Sequence, residues 1–326
     1  MVPGSKSVIL ARMLRWNGLD SLPQKFQGGS VTLGNFDGLH LGHQALFRKA
    51  RETGGPVAVM TFDPHTQAVL QPGKEIRRIF PREDLLEQLP KYGVDLLAIL
   101  DFTPAMAALS AEEFWEKYVG RPLKPKHVAA GHDFAFGKGR AGTLEFLRAW
   151  GKSNSCEVHV VEPLKLQGEI VSSRLIRELI TQGRVVEARE RLSRPFYLSS
   201  EVGSGAGRGN TIGVPTMNFT DIKQVIPAKG VYATRTYWEG KFFPSVTNVG
   251  VNPTFGGDHL KVETHVLNHH VEARGKTVKV EFIERLRDEK KFPGIEDLKK
   301  QIKDDILKTQ GVLKNYEALD VAQSKQ

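Results

Sequence analysis

The segment Ser30–His43 reads SVTLGNFDGLHLGH, and its pattern predicts a buried strand, a tight turn and the start of a helix. Val31 and Leu33 suit a buried strand, and the glycines after them mark a turn. From Leu41 to Glu52 apolar residues recur at helical spacing, until a pair of glycines ends the pattern. A glycine turn that leads into a helix presents unpaired N–H groups and the positive end of the helix dipole. The segment therefore predicts a binding site for an anion such as phosphate.

Two histidines of this segment, His40 and His43, are three residues apart, so both can lie on one face of the first helical turn. Their imidazoles could donate hydrogen bonds to phosphate oxygens and stabilise the charge that develops during attack at phosphorus. Two other interpretations stay open at this point. The pair could form half of a metal site, or it could cap and pack the helix.

The composition of the 326-residue chain is that of an ordinary globular protein with room for two domains. No apolar run is long enough to span a membrane and no apolar signal core is present, so we expect a cytoplasmic protein without membrane contact. The single cysteine, Cys156, excludes an internal disulfide and a cysteine-based metal cluster. The net charge of +9 favours anionic partners. No basic patch with interleaved aromatics indicates nucleic acid, so we expect nucleotides and phosphorylated small molecules instead.

Predicted strands and helices alternate after Ser30, which favours an α/β domain whose parallel sheet is covered on both faces. In such sheets ligands bind beyond the carboxyl ends of the strands. The segment before residue 30 suits an edge strand or a helix. Further strands are predicted at Pro56–Phe62, Val94–Phe102, Lys126–Gly131 and Cys156–Pro163, and two helices, Ser173–Gly183 and Arg184–Leu192, close this half.

After Arg194, short β-rich runs separated by Gly, Pro and Asn predict an antiparallel barrel or sandwich. An amphipathic helix, Ile295–Lys308, and a polar end that we expect to be disordered follow. The predicted domains are an α/β domain over residues 1–190, a β domain over 191–312 and a polar tail over 313–326. The β-rich runs are Phe196–Val202, Gly230–Trp238, Phe242–Val249, Lys261–Asn268 and Thr277–Leu286.

Two strand ends of the first half carry candidate site residues. Asp63 and His65 follow a predicted strand and should lie on the rim near the first turn, although a proline turn with solvated side chains fits as well. The glycine loop that follows the Lys126–Gly131 strand carries Lys138 and Arg140. Basic groups in such a loop would suit a triphosphate or a leaving pyrophosphate, and a mobile surface hairpin is the alternative.

A helix start near residue 172 and a loop–strand pair in the second half complete the candidates. Ser172 and Ser173 are possible helix caps, and the arginines that follow are unfavourable near the positive end of a helix dipole unless an anion binds there. Thr216 and Asn218 follow a glycine-rich loop and both offer oxygen ligands that suit Mg²⁺, although a plain β-turn loop fits this segment equally well. Glu263 is a candidate general base, although an exposed strand carboxylate is the common case.

The pattern G-x-F-D-G-x-H-x-G-H, from Gly34 to His43, resembles the signature of nucleotidyltransferases that move AMP or CMP from a nucleoside triphosphate. With F-D-P-H, the glycine loop and S-S-R-L-I-R in the same order, it is similar to the adenylyltransferase half of the bacterial bifunctional riboflavin kinase/FAD synthetase family. Arg174 stands where that family usually has Thr. The resemblance implies that His40 and His43 are catalytic and that ATP binds to Gly34, Phe36, Asp37, Gly38, His40, His43, Ser173 and Arg177. It also implies an FMN site formed by Phe62, Asp63, His65 and Asp133.

The second half resembles the flavokinase module of the same family, a six-stranded antiparallel barrel. The matching motifs are G-x-x-x-G-x-P-T-x-N, P-x-x-G-V-Y, N-x-G-x-x-P-T-F, E-T-H and F-x-x-x-L-R. The resemblance implies that Thr216 and Asn218 ligate Mg²⁺ and that Glu263 deprotonates the 5′-hydroxyl of riboflavin. It implies that ATP also contacts Gly207, Gly209 and Gly213, and that Arg287 and Phe292 lie on the flavin side.

Together the motifs predict a two-step enzyme that phosphorylates riboflavin to FMN with ATP and then adenylylates FMN to FAD. We expect a monomer or a weak homo-oligomer. Two alternatives are a related cytidylyl- or adenylyltransferase fused to an unrelated β domain, and a non-catalytic regulator that binds flavin or RNA.

Overall fold

A computed structural model describes residues 13–18, 21–73, 76–203, 213–254, 257–269 and 271–323. The chain forms two compact units. The first contains the described residues up to Ile76 together with Arg82–Val171, and the second contains Arg77–Pro81 and the described residues from Ser172 onward. The domain boundary at residues 190 and 191 stays a prediction. None of the described helices is both long and apolar enough to cross a membrane.

The first unit is built on a six-stranded sheet in which every strand pair is parallel. The strand order is β1-β4-β3-β2-β5-β6, which confirms the predicted parallel sheet. The segment before residue 30, for which an edge strand and a helix were both open, supplies the edge strand β1. The strands are β1 Leu14–Trp16, β2 Ser30–Leu33, β3 Val57–Asp63, β4 Leu96–Asp101, β5 His127–Gly131 and β6 Glu157–Val161.

Helices cover both faces of this sheet. Alternate residues of β3 enter two separate apolar clusters: Ala58 and Met60 one, Val57 and Val59 the other. Both faces of a strand are therefore buried, as expected for a parallel sheet. The helices are α1 Leu41–Glu52, α2 Thr66–Leu70, α3 Glu83–Gln88, α4 Pro104–Ala107, α5 Ala111–Trp115, α6 Arg121–Leu123 and α7 Leu144–Asn154, and the two-residue strands β7 Lys165–Leu166 and β8 Glu169–Ile170 form a hairpin.

In the strand order of the first unit, the position between β2 and β5 differs from all the others. The chain runs outward from β2 to β3 and β4, and later occupies the other side of β2 with β5 and β6. The direction in which strands are added therefore reverses between β2 and β5. Ligands of open α/β sheets bind outside the carboxyl ends of the strands at such a reversal. The predicted phosphate-binding turn leaves β2 at this position.

The second unit contains two helices and a closed six-stranded barrel followed by a long helix. The barrel order is β10-β13-β12-β11-β14-β9, with every pair antiparallel, so the structure selects the barrel over the sandwich. The elements are α8 Ser173–Thr181, α9 Val185–Leu192, β9 Phe196–Gly203, β10 Met217–Thr220, β11 Gly230–Trp238, β12 Lys241–Thr254, β13 Gly257–Val266, β14 Thr277–Arg287 and α10 Ile295–Gln323.

Contacts with the barrel explain why the segment before it belongs to the second unit. The backbone N–H of Ala228 donates to the carbonyl of Ile180 at 3.3 Å. Gly183, with φ +78°, lies against Arg285 and the hydroxyl of Tyr232, where a Cβ would collide. The segment Arg77–Pro81 is held in the same way, because the side-chain amide of Gln224 donates to the Ile79 carbonyl at 2.9 Å.

The C-terminal helix differs from its predicted extent. The amphipathic pattern predicted an end at Lys308, but α10 continues to Gln323, and the boundary at 313 falls inside it. The helix continues because its later turns still bury one face: Leu313 and Tyr316 pack with Ile283 of β14 in an apolar cluster. The prediction of the helix end was therefore wrong, since the polar surface of these turns hides a narrow apolar stripe.

Candidate active sites

The turn between β2 and α1 brings His40 and His43 into contact, as their spacing predicts. His40 caps α1, and its Nδ1 accepts a hydrogen bond from the backbone N–H of His43 at 3.4 Å. The two imidazole rings stack with their centroids 3.6 Å apart. Within the described ranges, no third metal-ligating side chain joins this pair in a metal-sized group. The capping interpretation therefore applies to His40, and the structure gives the half-metal-site interpretation no further ligand.

The backbone of this turn is strained. Phe36 and Leu39 have φ values of +46° and +48°, which non-glycine residues rarely adopt, and Gly38 between them has φ +89°. Both apolar side chains are 1% exposed, so burial holds the backbone in place. The Phe36 ring also meets the His43 ring edge-on at 5.1 Å. Strain that surrounding packing maintains is typical of functional sites.

Gly42 in the first turn of α1 leaves the space that the His40 ring occupies. A Cβ at this position would lie 3.1 Å from Cε1 and 3.2 Å from Nδ1 of His40. These distances are tighter than ordinary contacts, so a larger residue would push the ring away from its stacked position. The close approach of the His40 ring therefore explains why a glycine occupies position 42, the third glycine of the G-x-F-D-G-x-H-x-G-H pattern.

The environment of His43 keeps its imidazole neutral. Burial lowers the pKa of His43 well below its ordinary value of 6.5, and the neighbouring His40 lowers it further. Nδ1 of His43 is buried and has no hydrogen-bond partner among the described residues. A buried nitrogen without a partner is costly, and a ligand oxygen would supply the partner.

The end of β3 lies beside this turn, as predicted. Asn35 of the turn binds the first residue of α2, with Nδ2 donating to Oγ1 of Thr66 at 3.0 Å. His65 caps α2, because its Nδ1 accepts from the backbone N–H of Gln67. Asp63 pairs with Arg82, with Nη1 to Oδ2 at 2.5 Å. Arg82 was not among the residues singled out from the sequence, since its partner lies 19 positions away.

The loop after β5 carries Asp133, whose side chain is largely exposed. The backbone N–H of Lys138 donates to the Leu109 carbonyl at 2.8 Å, and Arg140 donates to the carbonyl of Asp133 at 3.1 Å. A bridge between Phe136 and Gly142 closes the loop. The loop thus has the hairpin form of the alternative interpretation, and it begins at the carboxyl end of β5.

The predicted residues on α8 lie in the second compact unit. Ser172 is the N-cap, since its hydroxyl accepts from the N–H of Leu175 at 3.3 Å, and Ser173 is the first residue of the helix. Arg174 pairs with Glu178 at 2.9 Å, so the conflict with the helix dipole is relieved within the helix. Arg177 lies on the same helix, one turn after Ser173.

On the barrel, strand register brings Glu263 between two asparagines. Asn218 of β10 and Asn248 of β12 both lie directly opposite Glu263 of β13. Directly opposed residues share one face of a sheet, with Cβ atoms about 4.5–5.5 Å apart. Asn218 is buried, and its Oδ1 has no hydrogen-bond partner among the described residues. Thr216, two residues before Asn218, is half-buried.

Two charged residues on this face were not predicted from the sequence. Lys261 lies two residues before Glu263 on β13, and its Nζ is 2.6 Å from Oε1 of Glu263. Glu289 lies over Gly250 so closely that a Cβ at Gly250 would collide with its Oε1. Asn248 and Glu289 are recognised only once the fold is known, because the sequence separates them from Glu263. Lys261 is two residues from Glu263 on the same strand and could have been found from that spacing.

Arg287 is engaged by the C-terminal helix. Its guanidinium makes a bidentate pair with Asp305 of α10, with Nη2 to Oδ2 at 2.7 Å and Nε to Oδ1 at 3.0 Å. The same guanidinium lies 5.9 Å from the ring centroid of Phe292. The structure therefore shows Arg287 and Phe292 together, as predicted, and adds the buried carboxylate. Of the predicted loop glycines, Gly213 is described, with φ +77°, and Gly207 and Gly209 lie outside the described residues.

Comparisons with known proteins match both units. The FAD synthetase family model matches residues 22–175, and the riboflavin kinase family model matches residues 192–313. The chain is 35% identical to the bifunctional riboflavin kinase/FMN adenylyltransferase of Listeria monocytogenes, over 84% of this chain and 89% of that one. It is 34% identical to the protein of the same name from Escherichia coli, over 89% and 95%. A crystal structure named macrolide-efflux protein from Streptococcus pneumoniae matches with a TM-score of 0.84 at 31% identity, over 92% and 99% of the two chains.

Proposed function

The chain belongs to the family of bifunctional riboflavin kinases/FMN adenylyltransferases, and we propose that the β2–α1 turn and the Glu263 face of the barrel are its two reaction centres. The enzyme phosphorylates riboflavin with ATP to give FMN, and then adenylylates FMN to give FAD and pyrophosphate. Because the riboflavin kinase model matches residues 192–313, the alternative of an unrelated β domain is set aside. The names of the relatives likewise set aside a non-catalytic regulator.

The proposed adenylylation centre binds the ATP phosphates at the N-terminus of α1. The observation that carries the proposal is the buried Nδ1 of His43, which has no partner among the described residues. In the reaction, a phosphate oxygen of FMN attacks the α-phosphorus of ATP and pyrophosphate leaves. A neutral His43 donates a hydrogen bond to a phosphate oxygen, and the N–H groups of the turn and the helix dipole stabilise the developing charge. The remaining proposed ATP contacts are Gly34, Phe36, Asp37, Gly38, His40, Ser173 and Arg177.

FMN is proposed to bind at the carboxyl ends of β3 and β5. These strands flank β2, so Asp63, His65 and the loop with Asp133 begin at the same edge of the sheet as the phosphate-binding turn.

Phe62 supplies an aromatic surface there, next to Phe102 and Phe114. The Asp63–Arg82 pair places a guanidinium at this edge, which suits the phosphate of FMN.

The proposed kinase centre is the Asn218–Glu263–Asn248 row. Glu263 accepts the proton of the riboflavin 5′-hydroxyl as the oxygen attacks the γ-phosphorus of ATP. The donor set fits Mg²⁺, because Asn218 presents a buried amide oxygen that has no partner among the described residues, and Thr216 offers a hydroxyl nearby. When bound, Mg²⁺ neutralises phosphate charge. Lys261 beside Glu263 holds the carboxylate in position.

The other proposed contacts of this centre follow from the resemblance. Gly207, Gly209 and Gly213 are proposed to cover the ATP phosphates, and Arg287 and Phe292 to lie beside the flavin. We also propose that the enzyme is cytoplasmic and a monomer or weak homo-oligomer. Its proposed partners are nucleotides and flavins, without nucleic acid.

His40→Asn tests the adenylylation centre, because it removes the imidazole of His40 but keeps a side chain that can cap α1. Asparagine is a good N-cap and can accept from the same backbone N–H, so α1 keeps its cap. We expect FAD formation from supplied FMN to fall by about 10²-fold or more, with FMN formation from riboflavin retained. The two products are resolved by chromatography over time. Full FAD formation in this variant would overturn the role of the His40 ring.

A further inference from the structure

Three metal-ligating side chains meet at the amino ends of β5 and β6, and neither reaction uses them. His127 begins β5, Glu157 begins β6 directly opposite it, and His159 lies two residues further along β6. Opposed residues share one face of a sheet, and so do residues two apart on a strand. The cluster therefore projects from one face, at the edge opposite the β2–α1 turn.

The ligand atoms of this cluster are already separated as in a metal site. Nδ1 of His127 and Nε2 of His159 are 3.2 Å apart. Oε2 of Glu157 lies 3.6 Å from His159 Nε2 and 3.8 Å from His127 Nδ1. Ligands about 2.0–2.1 Å from a tetrahedral Zn²⁺ are about 3.3–3.4 Å from one another. Each of the three separations is thus within about 0.5 Å of the tetrahedral value.

The chemistry of the donors selects the kind of ion. Two imidazoles and one carboxylate suit Zn²⁺ and its neighbours Ni²⁺ and Cu²⁺, whereas Mg²⁺ and Ca²⁺ prefer oxygen ligands. In the absence of an ion, the 3.2 Å contact is a hydrogen bond between the two rings, which holds their nitrogens together.

An ion can reach this cluster from solvent. The side chain of Glu157 is 74% exposed, whereas the two imidazoles are 24% and 22% exposed. Rigid strands therefore position the nitrogens, and the carboxylate closes over the ion from outside. With three protein ligands, a water molecule completes the tetrahedron.

We propose that His127, Glu157 and His159 bind one Zn²⁺-class divalent ion that links β5 to β6, separately from both reaction centres. The site would then tie together the two outer strands on one side of the sheet. Its bound state should raise the thermal stability of the full-length protein, because the ion binds the folded chain.

The test uses full-length protein stripped of metal with a chelator and kept in excess Mg²⁺, which occupies oxygen-ligand sites. Zn²⁺ is titrated calorimetrically, and Co²⁺ replaces it to report tetrahedral nitrogen and oxygen ligation by its visible absorption. We expect one ion per chain. His127→Ala and His159→Ala should each weaken binding at least tenfold, and Glu157→Gln, which keeps the side-chain shape, should weaken it measurably.

Matched variants at the other ends of the same strands serve as controls. Glu162→Gln and His132→Asn change an exposed glutamate and an exposed histidine just beyond β6 and β5, and both should bind Zn²⁺ as the wild type does. Zn²⁺ should raise the unfolding temperature of the wild type and of these controls, and should not raise it in His159→Ala. Absence of Zn²⁺ binding, or unchanged binding in all three cluster variants, would overturn the proposal; the second result would place the ion elsewhere, for instance at His40 and His43.

Discussion

The β2–α1 turn and the Glu263 face of the barrel, the two proposed ATP sites, are built from different chemistry. The turn offers two stacked imidazoles and a helix N-terminus, and His43 is kept neutral by burial. The barrel face offers a carboxylate flanked by two amides and a lysine. One centre is therefore rich in hydrogen-bond donors, and the other contains a proton acceptor next to oxygen ligands.

The nucleophiles explain this difference. The phosphate of FMN is already an anion at neutral pH, so adenylylation requires no base and depends on positioning and charge stabilisation. The hydroxyl of riboflavin carries a proton that must leave during phosphorylation, which is a task for a general base. In the two proposed centres, the presence of a carboxylate therefore follows the protonation state of the nucleophile.

The largest expected effect is the loss of this base. Glu263→Gln keeps the shape of the side chain but cannot accept the proton, so FMN formation should fall by about 10²–10⁴-fold. FAD formation from supplied FMN should stay at the wild-type rate. Chromatographic assays of each half-reaction measure both. Glu284→Gln, an exposed glutamate of β14, is the matched control and should leave both rates unchanged.

A loss of FAD formation in Glu263→Gln would contradict the separation of the two centres. Wild-type FMN formation would contradict the base role, and the barrel would then resemble the turn in relying on charge stabilisation alone.

The buried pair beside the barrel face gives the next effect. The side chains of Arg287 and Asp305 are 13% and 3% exposed, so Asp305→Ala leaves a buried guanidinium without its partner. The free energy of unfolding of the barrel should fall by about 3–5 kcal/mol, measured by urea denaturation. Asp304→Ala, the exposed neighbour, should cost little.

A double variant sharpens the role of Arg287. Arg287→Leu with Asp305→Leu should recover most of the stability, because it removes both buried charges. If Arg287 also contacts flavin, the KM for riboflavin should be higher in this stable double variant than in the wild type. A wild-type KM would make Arg287 purely structural.

The two centres also differ in how much of each can be predicted from the sequence. The bounds of α1 follow from a local pattern and agree with the structure. Asn248 becomes relevant only through strand register, which depends on non-local pairing. The cap formed by His40 was one of the open interpretations, because a histidine cap has no distinctive sequence pattern.

Two elements, β10 and the end of α10, could not be predicted from local sequence patterns. β10, four residues long after Pro215, is too short for a period of two to stand out, and it was not among the predicted strands. The end of α10 was missed because its apolar stripe is narrow: Leu313 and Tyr316 pack with Ile283, and Val312 lies partly buried against them. In both cases the surrounding barrel, rather than local propensity, decides the structure.

Removal of His43 should have the largest effect on the turn. His43→Ala deletes a preorganised donor to phosphate, so FAD formation from FMN should fall by about 10²–10³-fold, while FMN formation is retained. Steady-state assays of the half-reactions measure the effect. Arg48→Ala, an exposed position on the same helix, controls for changes in α1 and should behave as the wild type. Equal losses in both half-reactions would show that the variant disturbs more than this centre.

Asn218 distinguishes a metal ligand from a structural residue. Because its buried Oδ1 has no partner among the described residues, Asn218→Leu should not lower the urea midpoint of the barrel. The Mg²⁺ concentration for half-maximal FMN formation should nevertheless rise at least about tenfold, and Asn218→Asp, which restores an oxygen ligand, should return it towards the wild-type value. A lower midpoint with an unchanged Mg²⁺ requirement would assign Asn218 a structural role only.

The smallest expected effect is a pH dependence of the stability of the turn. Since burial and His40 hold the pKa of His43 well below 6.5, the unfolded chain takes up this proton at a higher pH than the folded chain does. The unfolding free energy that His43 contributes is therefore complete above about pH 6.5 and is lost as the pH falls towards the folded pKa. His43→Gln removes this proton uptake, so amide exchange of β2 and α1 should accelerate less between about pH 7.5 and pH 5.5 than in the wild type, after correction for intrinsic exchange rates. Equal acceleration in both proteins would mean that folding does not lower the pKa of His43, and this would contradict the argument that burial keeps its imidazole neutral.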